Sequence, residues 1–409
     1  MSHTSGARYW ADRTADNRRR SFPRLKGQHT ADIVIIGGGL TGAAAAYTLA
    51  HAGAKVMLLE AERLAGGQTA GGIGAIVPEL DPQYRDVEDM RGRKVARPAW
   101  ELVRHSAPEF AAALKRLRIK CDLEASETVV NAPNGEAVPQ LKREHTARKD
   151  AGLASAWGAG VSVRRDLGTD SDGALRLHGG ATYDAVRAAL GLASAAADKG
   201  AAIYEGTRVE KTKFTRKYAD VIVDASTKIR TTGIIVATGE PGSVFGQLRR
   251  HVRYQDGYTV VTEPLSAAMR REVGRRQSVL TDRSGSMHWL RWLADDRALF
   301  GGASQPVVIP RNRDRALVQR TGQLMYELSL RYPVVSGIQP AWAWSTPVVT
   351  TMDGLPWIGA HRNYPFHFFA MALGWHGDAL SWFAAKAAAR HFCGEPKKDD
   401  DTFGFLRAL

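Results

Sequence analysis

The chain has 409 residues, of which 44% are hydrophobic and 8% aromatic, and it carries a net charge of +14. That length fits two domains that each bury a sizeable core. The two cysteines, Cys121 and Cys393, exclude a disulfide framework and match no metal-ligand spacing, so we predict no metal site and a reducing, cytoplasmic location. We expect neither a signal peptide nor a membrane-spanning helix, because no stretch is apolar enough for either.

The positive charge has two interpretations. It favours anionic ligands, acidic proteins, nucleic acid or an anionic lipid surface as partners. The basic residues are dispersed, however, and Arg18 to Arg20 form the only triple. With no nucleic-acid-binding motif in the sequence, we interpret the charge mainly as solvated surface and do not expect nucleic acid as a partner. We expect residues 1–30 to be a polar leader that lies on the surface.

Residues 31–60 predict a dinucleotide-binding βαβ unit. Ile33 to Ile36 are β-branched residues typical of a buried parallel strand, the alanine-rich stretch 43–50 predicts a close-packed helix, and Val56 to Leu59 predict the second strand. Glu60 ends that strand, where its carboxylate can accept hydrogen bonds from both hydroxyls of a ribose. The same charge repels a 2′-phosphate, which disfavours NADP.

The turn between the first strand and the helix has the spacing G-x-G-x-x-G. Gly37 permits a sharp turn, Gly39 lets the backbone approach a pyrophosphate, and Gly42 packs the helix on the sheet. The start of the helix then presents free N–H groups to the phosphates. A βαβ turn without a ligand is the alternative, but the flanking strands, the helix and Glu60 favour a nucleotide site.

Downstream segments predict further elements of a two-domain chain. Residues 63–76 are glycine-rich and are expected to form a loop and helix start close to a flat ligand, with Gln68 and Thr69 donating to phosphate. The other predicted elements are helices at 99–117, 181–199, 316–332 and 378–391, strands at 201–205, 232–239, 258–262, 298–301 and 366–372, a hairpin at 208–224, and a loop at Ser284 to Ser286.

Taken together, these stretches resemble the D-amino-acid oxidase-like family of FAD-dependent oxidoreductases, which includes glycine oxidase, monomeric sarcosine oxidase and γ-glutamylputrescine oxidase. The resemblance covers about residues 30–395 and rests on short stretches in a specific order: ADIVIIGGGLTG, Gly67 to Gly74, KGAAIYEGTRV, IIVATG, TEPL, RALFGG, DGLPWIG and WHGDALS. Tyr9, Trp10 and the stretch HWLRWLADDRALFGG look most like the γ-glutamylputrescine oxidase branch.

The resemblance implies an α/β fold of the glutathione-reductase-2 type, in which a Rossmann-like FAD-binding domain carries an inserted β-sheet substrate domain. The implied FAD-binding pieces are residues 30–92, 160–245 and 346–395, and the implied substrate-domain pieces are 93–159 and 246–345.

Motif and resemblance together predict the residues that contact FAD. Glu60 would hold the ribose, the backbone of Val209 would meet adenine, and residues 374–377 would lie at the N1 and C2=O edge of the flavin, where the start of a helix stabilises negative charge. The predicted set is Gly37, Gly39, Leu40, Thr41, Gly42, Glu60, Arg63, Gln68, Thr69, Ala70, Gly74, Val209, Ala237, Thr238, Gly239, Gly374, Trp375, His376 and Gly377.

Three departures from the family pattern bear on the substrate and on the attachment of FAD. Gly71 and Gly72 stand where relatives often carry Arg-Asn. Val348 stands where glycine oxidase has the arginine that binds the substrate carboxylate, so that clamp is absent. No cysteine lies near Trp344, where sarcosine oxidase attaches its flavin, so we predict noncovalent FAD.

The sequence offers His288, Arg291 and His376 as candidate catalytic residues. His376 matches a flavin-edge position, whereas His288 and Arg291 lie in the aromatic stretch HWLRW and either meet the substrate or pack in a β-sheet. No general-base motif is evident. A pocket that removes water lowers the pKa of an amine and can make a dedicated base unnecessary.

These observations predict an FAD-dependent amine or amino-acid oxidase or dehydrogenase. The resemblance implies oxidation of a C–N bond by hydride transfer to flavin N5, with oxygen or a quinone as acceptor. The alternative is a flavoprotein with a macromolecular partner, either a tRNA-modifying oxidase or an electron-transfer subunit of a larger complex. The net charge suggests that a preferred amine also carries an anionic or neutral polar group, with Arg291 as its predicted contact.

Overall fold

A six-stranded sheet, a four-stranded sheet and a nine-stranded sheet organise the chain in this computed structural model, which describes residues 6–14, 19–282 and 287–408. The predicted loop at Ser284 to Ser286 lies outside the described residues. The helices are α1 (Tyr9–Asp12), α2 (Leu40–His51), α3 (Gly67–Gly71), α4 (Tyr84–Arg91), α5 (Arg93–Arg116), α6 (Val138–Asp150), α7 (Gly160–Leu167), α8 (Ala185–Asp198), α9 (Ala267–Glu272), α10 (Arg313–Arg331) and α11 (Asp378–Cys393). The strands are β1 (Gln28–Thr30), β2 (Ile33–Ile36), β3 (Val56–Leu59), β4 (Ala75–Ile76), β5 (Glu124–Ala132), β6 (Ala156–Ala159), β7 (Gly173–Thr182), β8 (Ala202–Tyr204), β9 (Lys211–Phe214), β10 (Ala219–Ile222), β11 (Lys228–Thr231), β12 (Gly233–Gly239), β13 (Arg253–Thr262), β14 (Ser278–Asp282), β15 (His288–Trp292), β16 (Ala298–Pro306), β17 (Pro340–Thr350), β18 (Trp357–His361) and β19 (Tyr364–Met371).

The six-stranded sheet contains the predicted βαβ unit, which is confirmed. Its strand order is β18-β19-β12-β2-β3-β8, and all neighbouring pairs are parallel except β18 with β19. Every residue of β2 and β3 is buried, as expected for parallel strands covered on both faces. Helices α2, α8 and α11 pack together beside this sheet.

Two glycines of the first turn are required by close backbone contacts. Gly37 has φ +107°, and a Cβ atom there would lie 2.6 Å from the carbonyl oxygen of Ala237. A Cβ on Gly42 would lie 1.8 Å from the carbonyl oxygen of Gly37. Side chains are therefore excluded where α2 leaves the sheet, in agreement with the roles predicted for these glycines.

The four-stranded sheet has the order β1-β11-β10-β9 and contains the predicted hairpin, because β9 and β10 are antiparallel. Apolar side chains of this sheet and of the six-stranded sheet pack in one core cluster. The cluster includes Val209, Val221 and Ile229 together with Met57 and Leu59. The small sheet thus closes one side of the nucleotide-binding unit.

The nine-stranded sheet is mixed and runs in the order β17-β13-β16-β15-β14-β5-β7-β4, with β6 paired to β7. Helix α10 covers one face, where Leu324 and Leu328 join the buried side chains of β13, β15 and β16. On the opposite face, Trp289 and Trp344 belong to the main core that also contains α2 and α11. The large sheet therefore lies between α10 and the nucleotide-binding unit.

Some strands of the large sheet come from segments predicted to bind FAD. Strands β4 and β7 pair with each other, and β7 also pairs with β5, although both β4 and β7 lie in segments predicted as FAD-binding pieces. Helix α8 begins at Ala185 rather than Ala181 because residues 181 and 182 belong to β7. The division of the chain into FAD-binding and substrate pieces stays a prediction.

Most described residues of segment 1–30 are exposed or half-buried, as expected of a polar leader on the surface, but the prediction is wrong for Tyr9 and Trp10. Tyr9 and Trp10 are 1% and 2% exposed, and Gln28–Thr30 form a strand parallel to β11. The Trp10 indole N–H donates to the carbonyl oxygen of Gly72 at 2.9 Å. The glycine-rich segment offers little side-chain surface of its own at Gly71 and Gly72, so the aromatic pair supplies apolar surface that covers it.

Candidate active site

The predicted cofactor residues meet where parallel strands of the six-stranded sheet end. Gly37 follows β2, Glu60 follows β3, Gly239 ends β12, and Ala372 follows β19. The Ala372 N–H donates to the carbonyl oxygen of Gly239 at 3.0 Å, and the Gly37 N–H donates to that of Leu59 at 2.9 Å. Ligands of open α/β sheets bind at this edge, beyond the carboxyl ends of the strands.

The Glu60 carboxylate is fixed at this edge by backbone N–H groups. Oε2 accepts from Gly38 at 2.7 Å and Oε1 accepts from Glu62 at 2.8 Å. Burial raises the pKa of Glu60, and these two backbone hydrogen bonds oppose the rise. The side chain is thus oriented before a ligand arrives, as a ribose-binding acid requires.

The start of helix α2 forms a cradle without side chains. Gly39 caps the helix without a side-chain hydrogen bond, and a Cβ on Gly39 would lie 3.1 Å from Thr69 Oγ1. The Leu40 N–H already donates to Thr69 Oγ1 at 2.9 Å, whereas the Thr41 hydroxyl bonds to Ser381 at 2.9 Å. The backbone N–H groups of Thr41 and Gly42 lie in the first turn of the helix, where no carbonyl of the same helix can accept them. This cradle therefore fits the pyrophosphate of a dinucleotide.

Gln68 and Thr69, which are predicted to donate to phosphate, each form a side-chain hydrogen bond within the chain. The Gln68 amide donates to the carbonyl oxygen of Pro347 in β17 at 2.9 Å, and a Cβ on Gly239 would lie 2.5 Å from its Oε1. Gln68 therefore links the six-stranded sheet to the large sheet through one of its two amide N–H donors, and its contact with phosphate stays a prediction. Thr69 accepts from the start of α2 instead, which places its hydroxyl beside the cradle.

The remaining predicted cofactor residues differ in exposure. Ala70 and Ala237 are buried, Arg63 and Thr238 are exposed, and Val209 lies in the core cluster between the two smaller sheets. The contact of the Val209 backbone with adenine stays a prediction.

The predicted flavin-edge loop is held by Asp81, which the sequence analysis missed. Its carboxylate accepts from the N–H groups of Trp375 at 2.7 Å and His376 at 3.0 Å, and it lies 3.3 Å from His376 Nδ1. A Cβ on Gly374, which has φ +74°, would lie 2.0 Å from Asp81 Oδ2. No motif surrounds Asp81, so only the fold reveals this contact.

Trp375 of this loop packs against aromatic and apolar residues of the large sheet. The rings of Trp375 and Trp289 lie 5.2 Å apart. A Cβ on Gly257 would lie 2.0 Å from the Trp375 ring and 3.1 Å from Val348 Cγ2. Val348, which replaces the carboxylate-binding arginine of glycine oxidase, is thus part of an apolar aromatic wall. We call it the tryptophan wall (Gly257, Trp289, Val348 and Trp375).

Arg291 holds the glycine-rich segment. It is 7% exposed, and its Nη1 donates to the carbonyl oxygens of Ile73, Gly74 and Tyr183, at 3.3 Å for Ile73 and 2.7 Å for Tyr183. Its guanidinium also lies 5.1 Å from the centre of the Trp10 ring. Burial lowers the pKa of Arg291 to about 10, so it stays a cation at neutral pH. Among its described neighbours, Nε has no hydrogen-bond partner.

His288 lies on the other face of the large sheet. Side chains alternate along β15, so His288, Leu290 and Trp292 face α10 whereas Trp289 and Arg291 face the opposite side. His288 Nε2 bonds to Glu327 Oε2 at 2.8 Å, and its ring stacks on Phe300 at 5.5 Å. The structure therefore does not bring His288 together with Arg291 and His376, in agreement with the packing alternative.

A carboxyl group with a strongly shifted pKa begins the helix after the flavin-edge loop. Asp378 is the first residue of α11, and burial raises its pKa to about 7, against the lowering effects of Tyr183 and Arg291. The sequence analysis missed this group, although an acid in the first turn of a helix is itself a common pattern. The burial that raises this pKa, and the opposing contacts with Tyr183 just after β7 and Arg291 of β15, depend on packing that sequence spacing does not show.

Comparisons with known proteins agree with this geometry. The sequence model of the family described as DAO, FAD dependent oxidoreductase, matches residues 32–391. The γ-glutamylputrescine oxidoreductase of Escherichia coli is 25% identical over 406 residues, which cover 97% of this chain and 91% of that protein.

Solved structures show the same fold. Glycine oxidase from Geobacillus kaustophilus has a TM-score of 0.74 at 20% identity, covering 90% of this chain and 96% of that chain. L-amino acid deaminase from Proteus myxofaciens has a TM-score of 0.77 at 15% identity, covering 100% of this chain and 99% of that chain. The predicted resemblance and the predicted fold class are confirmed. In the described part of the chain, no helix is both long and apolar enough to cross a membrane.

Proposed function

Because the family model covers most of its length, the chain belongs to the FAD-dependent oxidoreductase (DAO) family and is an FAD enzyme, and we propose that it oxidises a C–N bond of an amine. Bound FAD supplies the hydride acceptor for such a reaction. The contribution of this chain is to bind the cofactor, orient the substrate and exclude water.

The observation that carries the cofactor part of the proposal is the cradle at the strand ends. Gly37 and Gly42 leave no room for side chains, a Cβ on Gly39 would lie 3.1 Å from Thr69 Oγ1, and the Glu60 carboxylate is oriented by two backbone N–H groups. The residues that would hold FAD are therefore the turn after β2, Glu60, the start of α2, and residues 374–377. This set suits a dinucleotide, and the charge of Glu60 disfavours one that carries a 2′-phosphate.

The tryptophan wall supports an amine rather than a simple α-amino acid as substrate. Val348 offers no partner to a carboxylate, and burying a carboxylate against valine costs free energy that no hydrogen bond returns. The Trp289 and Trp375 rings exclude water, which lowers the pKa of an amine and favours the unprotonated form that can release hydride.

Arg291 is foremost a positioning residue in this proposal. Its Nη1 is engaged by the carbonyl oxygens of the glycine-rich segment and Tyr183, so a contact with a remote anionic or polar group of the substrate would have to use its other N–H groups. We retain that contact as part of the proposal because a nearly buried cation without a bidentate carboxylate partner among the described residues favours an anion nearby.

Anaerobic flavin reduction tests the substrate class. Purified protein loaded with FAD is mixed in a stopped-flow instrument with γ-glutamyl-type amines, other secondary amines, unmodified polyamines and α-amino acids. We expect secondary or γ-glutamyl-type amines to bleach the flavin fastest. Reduction by dithionite in parallel shows that the flavin is intact in every sample. If glycine or D-alanine gave the fastest bleaching, the amine assignment would be wrong.

A further inference from the structure

The outer side of helix α10 carries large hydrophobic side chains that face solvent. Val318, Tyr326 and Leu330 are 74%, 64% and 61% exposed, and Val307 and Ile309, just before the helix, are 43% and 48% exposed. Half of the exposed large hydrophobic residues of the described chain lie in this single segment. We call these five residues the α10 outer face.

Helix geometry places the three helical members on one stripe. Tyr326 and Leu330 lie eight and twelve residues after Val318. At about 100° and about 1.5 Å per residue, the three side chains fall within an arc of about 120° and extend over about 18 Å of the helix. The inner side of the same helix is already accounted for, because Leu324 and Leu328 are fully buried against the large sheet. A helix that is apolar on two opposite sides needs a second apolar environment.

The charges near this stripe are mainly positive, since one exposed acid, Asp314, lies among three arginines. Arg311 and Arg315 are exposed, and together with Arg313 they flank the first turn of α10, where the helix dipole disfavours cations. Their placement therefore does not stabilise the helix. The acid Glu327 lies toward the sheet and bonds to His288, so it does not neutralise the exposed arginines.

We propose that the α10 outer face binds the surface of an anionic lipid bilayer, with its apolar side chains at the headgroup boundary and Arg311 and Arg315 at the phosphates. The binding is peripheral, since no helix of the described chain can span a membrane. The stripe is a ridge on one helix, which suits a planar surface, and the net charge of +14 adds a long-range attraction to anionic lipid.

A second copy of the chain fits this face less well. Two copies that met through the ridge would bring Arg311 and Arg315 of each copy toward each other, and like charges at an interface oppose association. An acidic protein would satisfy the arginines but would need a groove for the apolar stripe. A subunit interface is one of the outcomes that the experiment distinguishes.

Vesicle sedimentation tests the proposal with the FAD-loaded protein. We expect it to sediment with vesicles that contain phosphatidylglycerol, to stay in solution with pure phosphatidylcholine, and to release as salt is raised. V318S/L330S and R311Q/R315Q should each weaken binding about tenfold or more. The matched controls, V161S/M90S at exposed apolar positions and R216Q/K217Q at exposed basic positions, should bind like wild type.

Three results would overturn the proposal. The first is failure of the wild-type protein to bind anionic vesicles, and the second is equal weakening by the α10 variants and their controls. The third is a change of molecular mass in light scattering for the α10 variants with vesicle binding unaltered, which would identify a subunit interface. Sedimentation needs no turnover, so its result is independent of the proposed amine oxidation.

Discussion

At the scale of single residues, the site depends on charged groups whose environments the fold sets. Glu60 and Asp81 are oriented by backbone N–H groups, whereas Arg291 donates to backbone carbonyls. Each of these side chains fixes a loop that would otherwise be free to move. Substitutions at such positions therefore affect cofactor binding through one identifiable group.

The first residue-scale prediction concerns Glu60→Gln. The amide keeps one acceptor but loses the charge that strengthens hydrogen bonds to the ribose hydroxyls, and charge-assisted hydrogen bonds are worth about 1.5–3 kcal/mol. We expect the dissociation constant for FAD, measured by fluorescence titration of the apoprotein, to rise about tenfold or more. Glu62→Gln is the control, since the Glu62 side chain is exposed and its carboxylate pairs with Arg208. Equal affinity of the Glu60 variant and wild type would show that Glu60 is not the ribose ligand.

Asp378 predicts a pH dependence of stability. Its pKa is raised to about 7 in the folded protein, whereas an unfolded Asp titrates near about 4. Between these values the folded state holds a proton that the unfolded state has lost, so this group's contribution to stability is full below about pH 4, falls as the pH rises toward 7, and is constant above.

Thermal unfolding of wild type and Asp378→Asn at several pH values measures this contribution. The amide does not titrate, so we expect the variant to gain in melting temperature relative to wild type as the pH rises from 5 to about 8. Asp399→Asn, on the exposed C-terminal segment, controls for the loss of a charge. A difference between wild type and the Asp378 variant that did not change with pH would contradict the raised pKa.

At the scale of elements, short segments link the cofactor cradle to the large sheet. Arg8 and Trp10 donate hydrogen bonds to backbone carbonyl oxygens of the glycine-rich segment. Tyr9, Asp12 and Arg13 form side-chain hydrogen bonds with residues in or beside the large sheet. The glycine-rich segment is thus held between the N-terminal helix and the two sheets. Its position depends on residues more than fifty positions earlier in the chain.

Trp10→Phe tests this link. Phenylalanine keeps an aromatic ring but removes the donor to Gly72, and leaving a buried carbonyl unpaired costs about 1–3 kcal/mol. We expect weaker FAD binding and a changed flavin absorption spectrum. Trp342→Phe is the matched control, because it loses an indole bond to the exposed side chain of Asp12. If the two variants bound FAD alike, Trp10 would have no specific role in holding this segment.

A buried ion cluster joins three elements in the same way. Arg148 of α6 lies 2.6 Å from Glu79 Oε2 and 2.7 Å from Glu144 Oε1, and all three side chains are at most 3% exposed. Glu144 also accepts from the N–H groups of Tyr84 and Arg85 at the start of α4. The cluster fixes the segment that leads to Asp81.

Arg148→Met would leave two buried carboxylates without their cation. Breaking a buried ion pair by removing one partner costs about 3–5 kcal/mol, so we expect urea unfolding to show a loss of that size. Arg97→Met, which breaks the exposed pair with Glu101, should cost less than about 1 kcal/mol. Similar losses for the two variants would mean that the buried cluster contributes little to stability.

At the scale of the whole molecule, the two cysteines bear on how FAD is attached. Cys121 is buried, and Cys393 lies at the far end of α11 from the flavin-edge loop, a separation of about 24 Å along the helix at about 1.5 Å per residue. Cys393 is therefore too far from residues 374–377 to bond covalently to a flavin at that loop.

We accordingly predict a yellow protein that releases intact FAD on denaturation. Acid precipitation followed by chromatography of the supernatant identifies the released flavin. Cys121→Ser and Cys393→Ser, which should each retain the same amount of releasable flavin, are the controls for a cysteine link. Flavin that stayed with the precipitate would contradict noncovalent attachment.

The sequence alone determined the nucleotide-binding half of this protein. The glycine spacing, the buried strands and Glu60 follow from local rules, because a βαβ unit forms from consecutive residues whose side-chain size and periodicity specify it. The family resemblance followed from the order of short motifs. Both were available without knowing which distant segments meet.

Only the tertiary structure decided the rest of the site. Asp81, the burial of Trp10, the carbonyl partners of Arg291 and the raised pKa of Asp378 all arise from contacts between segments far apart in the sequence. The separation of His288 from Arg291 follows from the alternation of side chains along β15, and which face meets the cofactor unit is set by sheet packing. Spacing along the chain carries no information about such contacts, because they depend on how the sheets and helices pack.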